Sequence, residues 1–184
     1  IADFKGGVDF PPIWHTKCSL LTDEKILHKV LVSITDELQS RKQILRTAGV
    51  ANIDEYNRNA KKKLYRIVFA CDEIAEVLDK TGLSKQQKDE ILKIESELSI
   101  IARQGRAFGI HLVLATQRPD AAILNGQIRN NIDTRICGRA DNVLSQIILD
   151  NTDASDKIAK SSQGRFLTNS GKIFQAYWFD ENIL

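Results

Sequence analysis

A short apolar run that stops at two adjacent acids is the feature that most constrains the fold. Residues 67–71 (IVFAC) are continuously apolar, and Asp72 and Glu73 follow directly. A run of this length is typical of a strand buried on both faces of a parallel sheet. Ligands bind at the carboxyl ends of such strands, so the sequence predicts that the acid pair lies at a binding edge.

The acid pair has two interpretations. In nucleotide hydrolases an Asp at this place organises Mg²⁺ on the phosphates, and a following Glu can polarise the attacking water. Alternatively, the acids simply begin a helix, where the helix dipole favours negative charge. The pair alone leaves the odds near even.

Composition narrows the class of protein. The 184 residues are 42% hydrophobic and 27% charged, which indicates one soluble α/β domain. The net charge of +2 gives no global basic field, so nucleic-acid binding would need local patches or a ring of subunits. The three cysteines are far apart, which predicts reduced structural thiols in a cytosolic domain. No apolar run approaches the roughly 20 residues that span a bilayer.

Local signals place the elements. Apolar residues at helical spacing predict a long helix from Asp23 to about Thr47, with Gly49 past its end. A capping box at Ser84 predicts a helix to about Ala107, ended by Gly109. Further strands are expected at residues 1–4, 110–115 and 132–137, a helix at 141–149, and a hairpin around residues 169–171. Alternating strands and helices indicate a three-layer α/β sheet, mostly parallel, with helices on both faces.

The second buried strand also ends in polar residues, Ala-Thr-Gln-Arg-Pro at positions 115–119. A polar group there can reach the γ-phosphate or its attacking water, so Gln117 is a candidate sensor. Taken alone, a Gln at a strand end is more often an ordinary loop residue.

Several segments together resemble a known family. They are DEIAE at 72–76, ARQGRAFGIHL at 102–112, ATQRP at 115–119, NNIDTRI at 130–136 and GRFL at 164–167. In this order and spacing they closely resemble the motor domain of the FtsK/SpoIIIE family of DNA translocases. Residues 1–6 and 36–41 are also similar, so the resemblance covers essentially the whole chain.

The resemblance implies a RecA-like three-layer sandwich, with a C-terminal β-hairpin, that assembles as a hexameric ring with ATP between subunits. Asp72 then looks like the Mg²⁺-organising acid, Glu73 the catalytic base and Gln117 the sensor, all three contacting the nucleotide. Arg106 aligns with an arginine finger that reaches the neighbouring subunit's site. Its alternative role is that of a helix-end residue beside Gly109; Arg41 and Arg135 are weaker finger candidates.

Contacts to double-stranded DNA would use pore-facing cations and backbone N–H groups without base readout. Arg118, Arg129 and Lys172 are the leading candidates, joined by Asn125, Gln127 and the lysines at 61–63. Each of these residues, judged alone, is more often an ordinary solvated side chain.

The chain departs from the family in two ways. The phosphate-binding loop G-x-x-x-x-G-K-[ST] is absent from residues 1–184, and the chain contains no Met. We therefore expect one partial RecA-like domain (1–184) of a longer polypeptide, with the loop upstream and no appreciable ATPase activity on its own. In addition, the segment before the acid-ended strand, residues 59–63, is short.

These observations favour part of an ATP-driven DNA translocase, for chromosome segregation or conjugative transfer. The short segment and Ile74 favour the conjugative branch. The expected location is cytoplasmic, with a membrane anchor allowed elsewhere in the parent. A type VII-like protein-secretion ATPase and a non-catalytic ring or binding module are the alternatives.

Overall fold

The computed structural model describes residues 1–5, 10–117, 119–120, 123 and 126–180. These residues form two compact units, one built from residues 1–117 and 126–131 and the other chiefly from residues 132–180. As predicted, the described residues mix helices with strands, and they form one parallel and one antiparallel sheet. The helices are α1 (Leu27–Ala48), α2 (Ile53–Asn59), α3 (Ile74–Leu78), α4 (Lys85–Gln104), α5 (Gly126–Arg129), α6 (Asn142–Leu149) and α7 (Asp153–Lys157). The strands are β1 (Ile67–Cys71), β2 (Ile110–Leu114), β3 (Ile136–Cys137), β4 (Arg165–Thr168) and β5 (Ile173–Gln175).

The first unit is organised by parallel pairing. Strands β1 and β2 run in register from Ile67 beside Ile110 to Cys71 beside Leu114. Ala2 makes parallel bridges to Leu21 and Cys71, so the amino-terminal residues lie next to β1. The carboxyl ends of these segments therefore meet at one edge.

Burial of the parallel strands is one-sided. Phe69 and Cys71 are buried, but Val68 is 57% exposed, and Val113 on β2 is 54% exposed. The prediction that β1 is buried on both faces is therefore wrong for the described residues. Side chains alternate between the two faces of a strand, and the face that carries Val68 and Val113 is open here.

The predicted helix ends are largely confirmed. Helix α1 ends at Gly49, which has φ of 68°. The capping box at Ser84 is present at the start of α4. Helix α4 ends at Gln104, earlier than predicted, because the chain tightens into a short 3₁₀ turn (Arg106–Phe108) that Gly109 closes with φ of 72°. Positive φ suits glycine, which has no Cβ to clash.

The second unit contains the antiparallel sheet β3–β4–β5. The expected hairpin is confirmed by the β4–β5 pairing. Strand β3 is shorter than the strand predicted at 132–137, and it pairs with β4 in antiparallel fashion. A small core of Cys137, Leu149, Ala154, Ile158 and Leu167 stabilises this unit.

The three cysteines are free, as predicted. Burial raises the pKa of the Cys71 thiol to about 12, so this group beside the acid pair stays neutral. Within the described ranges, no helix has both the length and the apolar character needed to cross a membrane.

Gly105 lies between α4 and β2, where its Cα is packed closely against the backbone oxygens of Ile101 and Ile110. Its N–H donates to the Ile101 carbonyl at 2.7 Å, and its own carbonyl accepts the Ile110 N–H at 3.0 Å. A Cβ at this position would stand 2.4 Å from the Ile110 oxygen and 2.7 Å from the Ile101 oxygen. Only a residue without a side chain fits this junction.

We expect Gly105→Ala to lower the free energy of unfolding by about 1–3 kcal/mol, because the backbone must shift to admit the methyl group. Urea denaturation of the chain measures this. Gly126→Ala is the matched control, since a Cβ there would meet nothing closer than the Asn130 amide nitrogen at 3.8 Å. Equal losses in the two variants would contradict the prediction.

Candidate active site

The predicted site residues follow the carboxyl ends of β1 and β2. The ladder continues past the strands, because the Ala115 N–H donates to the Cys71 carbonyl and the Ile74 N–H to the Ala115 carbonyl, both at 2.9 Å. These bonds hold the acid pair beside the segment that carries Gln117. The edge predicted from the sequence is therefore formed.

Glu73 is the buried member of the pair, with 6% of its surface exposed. One oxygen, Oε1, accepts the Ala75 N–H at 3.3 Å and caps helix α3. The other, Oε2, accepts the Gln117 N–H at 2.9 Å. Glu73 thus caps the start of helix α3, which agrees with the second interpretation of the acid pair, that of a helix start. A carboxylate has about four acceptor sites, so these two bonds leave capacity for a water molecule.

Asp72 is the open member of the pair. Its side chain is 29% exposed, and its Oδ2 lies 2.8 Å from the Lys5 ammonium. Among the described residues, no three His, Cys, Asp or Glu side chains form a metal-binding group. This arrangement fits Mg²⁺, which proteins usually hold with one or two carboxylates together with substrate phosphates.

Gln117 reaches Glu73 through its backbone, while its side chain is exposed. The structure therefore brings the predicted base and the predicted sensor segment together directly. The Gln117 side chain lies at the same edge as Asp72 and is open to solvent.

Arg106 lies at the other end of the sheet. It precedes β2, whereas Gln117 follows it, and its side chain is exposed. At about 3.3 Å per strand residue, this places Arg106 on the order of 15 Å from the acid pair. Arg106 and the acid pair therefore lie at opposite ends of the paired strands.

The two weaker candidates for the arginine finger, Arg41 and Arg135, each form an ion pair within their own unit. Arg41 is 3% exposed; its Nε lies 2.7 Å from Glu37, and it donates at 2.8 Å to the Phe108 carbonyl. It braces the turn that follows Arg106. Arg135 pairs with Asp150 at 2.7 Å. Both pairings favour structural roles.

The DNA-contact candidates are spread over both units. Arg129 is the last residue of α5 and is half-buried, whereas Lys172 is exposed in the turn between β4 and β5. Gln127 and the lysines at 61–63 are exposed. Arg118 and Asn125 lie outside the described residues.

Sequence reasoning missed two residues at the site edge. Asp3 is 1% exposed, and its Oδ1 accepts the Lys5 N–H at 3.0 Å. The side chain of Lys5 then reaches Asp72. The rule that flagged Asp72 and Gln117, polar residues directly after a strand, applies to Lys5, which follows the predicted first strand (1–4), but not to Asp3, which lies within that strand.

We expect Glu73→Ala to lower the free energy of unfolding by about 1–3 kcal/mol, because two backbone N–H groups lose their acceptor and α3 loses its cap. Urea denaturation of the chain is the measurement. Glu76→Ala provides the control, since Glu76 lies exposed on the same helix. If both variants unfold at the same urea concentration, the two bonds do not stabilise this edge.

Comparison with curated proteins finds DNA translocases. The chain is 33% identical to the DNA translocase FtsK of Chlorobaculum tepidum over 156 residues, which are 84% of this chain. It is 30% identical to the DNA translocase SftA of Bacillus subtilis over 164 residues, or 86% of this chain. The matched region spans only 18% and 16% of those two proteins. No protein-family model matches the chain.

Solved structures support the same relationship. The pCW3 conjugation coupling protein TcpA, in a monomer form with ATPγS, superposes with a TM-score of 0.91 at 39% identity, covering 99% of this chain and 52% of that one. The cytoplasmic domain of the Thermomonospora curvata type VII secretion ATPase EccC superposes with a TM-score of 0.72 at 23% identity, covering 99% of this chain and 22% of that one. The second likeness shows a shared fold alone.

Proposed function

The chain belongs to the FtsK/SpoIIIE family of DNA translocases, and we propose that it carries the hydrolytic edge of an ATP-driven DNA motor. The observation that carries this proposal is the juxtaposition of Asp72, Glu73 and Gln117 at the carboxyl ends of two paired parallel strands. Because the matched region spans only 18% and 16% of the two DNA translocases compared, we propose the activity for a whole protein of that family and not for residues 1–184 alone.

Each residue has a distinct role in the proposed reaction. The Asp72 carboxylate would hold Mg²⁺ on the nucleotide phosphates, which neutralises charge that develops during phosphoryl transfer. Glu73 would orient the attacking water and accept its proton, with its carboxylate aimed by the N–H groups of Ala75 and Gln117. The exposed Gln117 side chain would contact the γ-phosphate side of the site.

Arg106 would act on the nucleotide site of a neighbouring subunit and not on the site of its own subunit. Its place at the opposite end of β2 suits a finger that completes the nucleotide site of a neighbouring subunit. Such fingers contribute about 10³–10⁵ in rate in related systems. This role implies a ring, hexameric by family resemblance, in which every site is shared.

The finer fold is also part of the proposal. A RecA-like three-layer domain would cover the face that carries Val68 and Val113 with a second layer of helices, as parallel sheets require. The phosphate-binding loop is absent from the sequence of this chain. We therefore expect residues 1–184 alone to have no appreciable ATPase activity.

Double-stranded DNA is the proposed substrate, and conjugative transfer is the favoured role. The 39% identity to a conjugation coupling protein supports this choice over chromosome segregation. Protein secretion of the type VII kind is the second candidate, and it rests on fold similarity at 23% identity.

In the full-length protein, we expect Glu73→Gln and Arg106→Ala each to reduce DNA-stimulated ATPase activity by about 10³-fold or more. Mixing the two variants should restore part of the activity, because some interfaces then pair an intact Arg106 with an intact Glu73. Steady-state phosphate release measures this. Arg103→Ala, an exposed arginine at the end of α4, is the control. No recovery on mixing would contradict the trans role of Arg106.

DNA contact is tested by salt dependence. We expect Arg129→Ala or Lys172→Ala in the full-length protein to weaken binding uniformly across DNA sequences and to reduce the slope of log K against log salt by about 1. Fluorescence anisotropy with two unrelated duplexes measures both quantities. Lys93→Ala, on the outer face of α4, serves as the control. An unchanged slope would remove the tested residue from the DNA interface.

A further inference from the structure

Arg41 is the single arginine or lysine that is buried in the described part of the chain, with 3% of its surface exposed. It lies on α1, and its guanidinium reaches the turn that carries the proposed finger. A buried charge is costly unless it is paired and hydrogen-bonded, so the partners of this side chain hold it in one place.

Two acceptors fix the guanidinium of Arg41. Its Nε lies 2.7 Å from Glu37 Oε1, one turn earlier on the same helix, and its Nη1 donates to the Phe108 carbonyl at 2.8 Å. Glu37 offsets the charge and orients the planar group. The bond to Phe108 joins residues 67 positions apart, so it forms only when α1 packs against the segment between α4 and β2.

The turn that Arg41 contacts is short and closed. This finger turn (Arg106–Phe108) is a single 3₁₀ turn. The Gly109 N–H donates to the Arg106 carbonyl at 3.2 Å and closes the turn around Phe108. A hydrogen bond at the Phe108 carbonyl therefore constrains the backbone from which the Arg106 side chain projects.

The residue after Arg41 holds the other side of the same segment. Lys42 donates from its Nζ to the side-chain oxygen of Gln104, the last residue of α4. Gln104 precedes Arg106 and Phe108 follows it, so consecutive residues of α1 contact the chain on both sides of the proposed finger. Lys42 is half-buried and Arg41 is buried, so loss of the Arg41 contact is the more damaging of the two.

We propose that Arg41 is a positioning residue for Arg106: it holds the finger turn against α1 and thereby sets the place from which Arg106 reaches a neighbouring subunit's nucleotide. This inference rests on the proposed function, and it assigns no contact between Arg41 and the nucleotide. A misplacement of about 1 Å at a reacting site can cost about 10²-fold in rate. Loss of Arg41 therefore impairs the same step as loss of Arg106, to a smaller extent.

The first measurement is DNA-stimulated phosphate release by the full-length protein over a range of ATP concentrations. Arg41→Met keeps the length of the side chain without its charge and donors, and it should lower kcat about 10-fold to 100-fold with little change in KM. Arg41→Lys keeps the charge without the planar fork and should lose less activity. Arg46→Met, at an exposed position of α1, is the matched control and should leave kcat unchanged.

Mixing experiments assign the defect to one side of the subunit interface. Arg41→Met mixed with Glu73→Gln should recover part of the activity, because some interfaces then combine an intact Glu73 with an intact finger turn. Arg41→Met mixed with Arg106→Ala should not exceed the mean of the two separate samples, since every finger is defective. A variant with a damaged fold would recover with neither partner.

The outcomes are distinguishable. Recovery with Glu73→Gln but not with Arg106→Ala sustains the proposal. Full activity of Arg41→Met, recovery with Arg106→Ala, or recovery with neither partner overturns it. Circular dichroism checks folding, and Arg41→Lys carries the same mixing test if Arg41→Met is unfolded. Full activity of Arg106→Ala overturns the finger role in the proposed function itself, a result that no Arg41 variant can produce.

Discussion

The carboxylate of Glu73 fastens together the two strand ends on which the site depends. Its oxygens accept one N–H from the first turn of α3 and one from the segment after β2. A buried carboxylate needs such donors, because an unpaired charge in the interior is costly. The same two bonds fix the orientation of the carboxylate. The structure shows the capping role of Glu73, and the proposed catalytic role would use the same side chain, so the two interpretations of the acid pair are compatible.

Local chemistry explains which parts of the fold were predictable. The capping box at Ser84 and the glycines at 49 and 109 act within a few residues, so the sequence around them determines the element ends. Strand partners depend on distant residues, so the sequence pattern that predicted β3 did not predict its antiparallel pairing with β4. Burial of Val68 depends on what covers that face, and an apolar run alone carries no such information.

The same distinction holds for the candidate site. Asp72 and Gln117 were predicted because both directly follow apolar runs, and parallel strands end at a common edge. Their partners were not predicted. The bond from Gln117 to Glu73 spans 44 positions, and the pair of Lys5 with Asp72 spans 67. Contacts of that range require the pairing of β1, β2 and the amino-terminal segment, which a single sequence does not specify.

Strand β2 carries one group of interest at each end, with Arg106 before it and Gln117 after it. Gly105 packs so closely against Ile110 that the turn holding Arg106 is fixed to the start of the strand. In the proposed ring, Arg106 at one end of β2 and Gln117 at the other would contact the nucleotides of two different subunits. A displacement at one end then moves the other by a similar amount, because hydrogen-bonded strands stretch little. Two neighbouring nucleotide sites of the proposed ring would then be coupled through the five residues of β2, without a hinge.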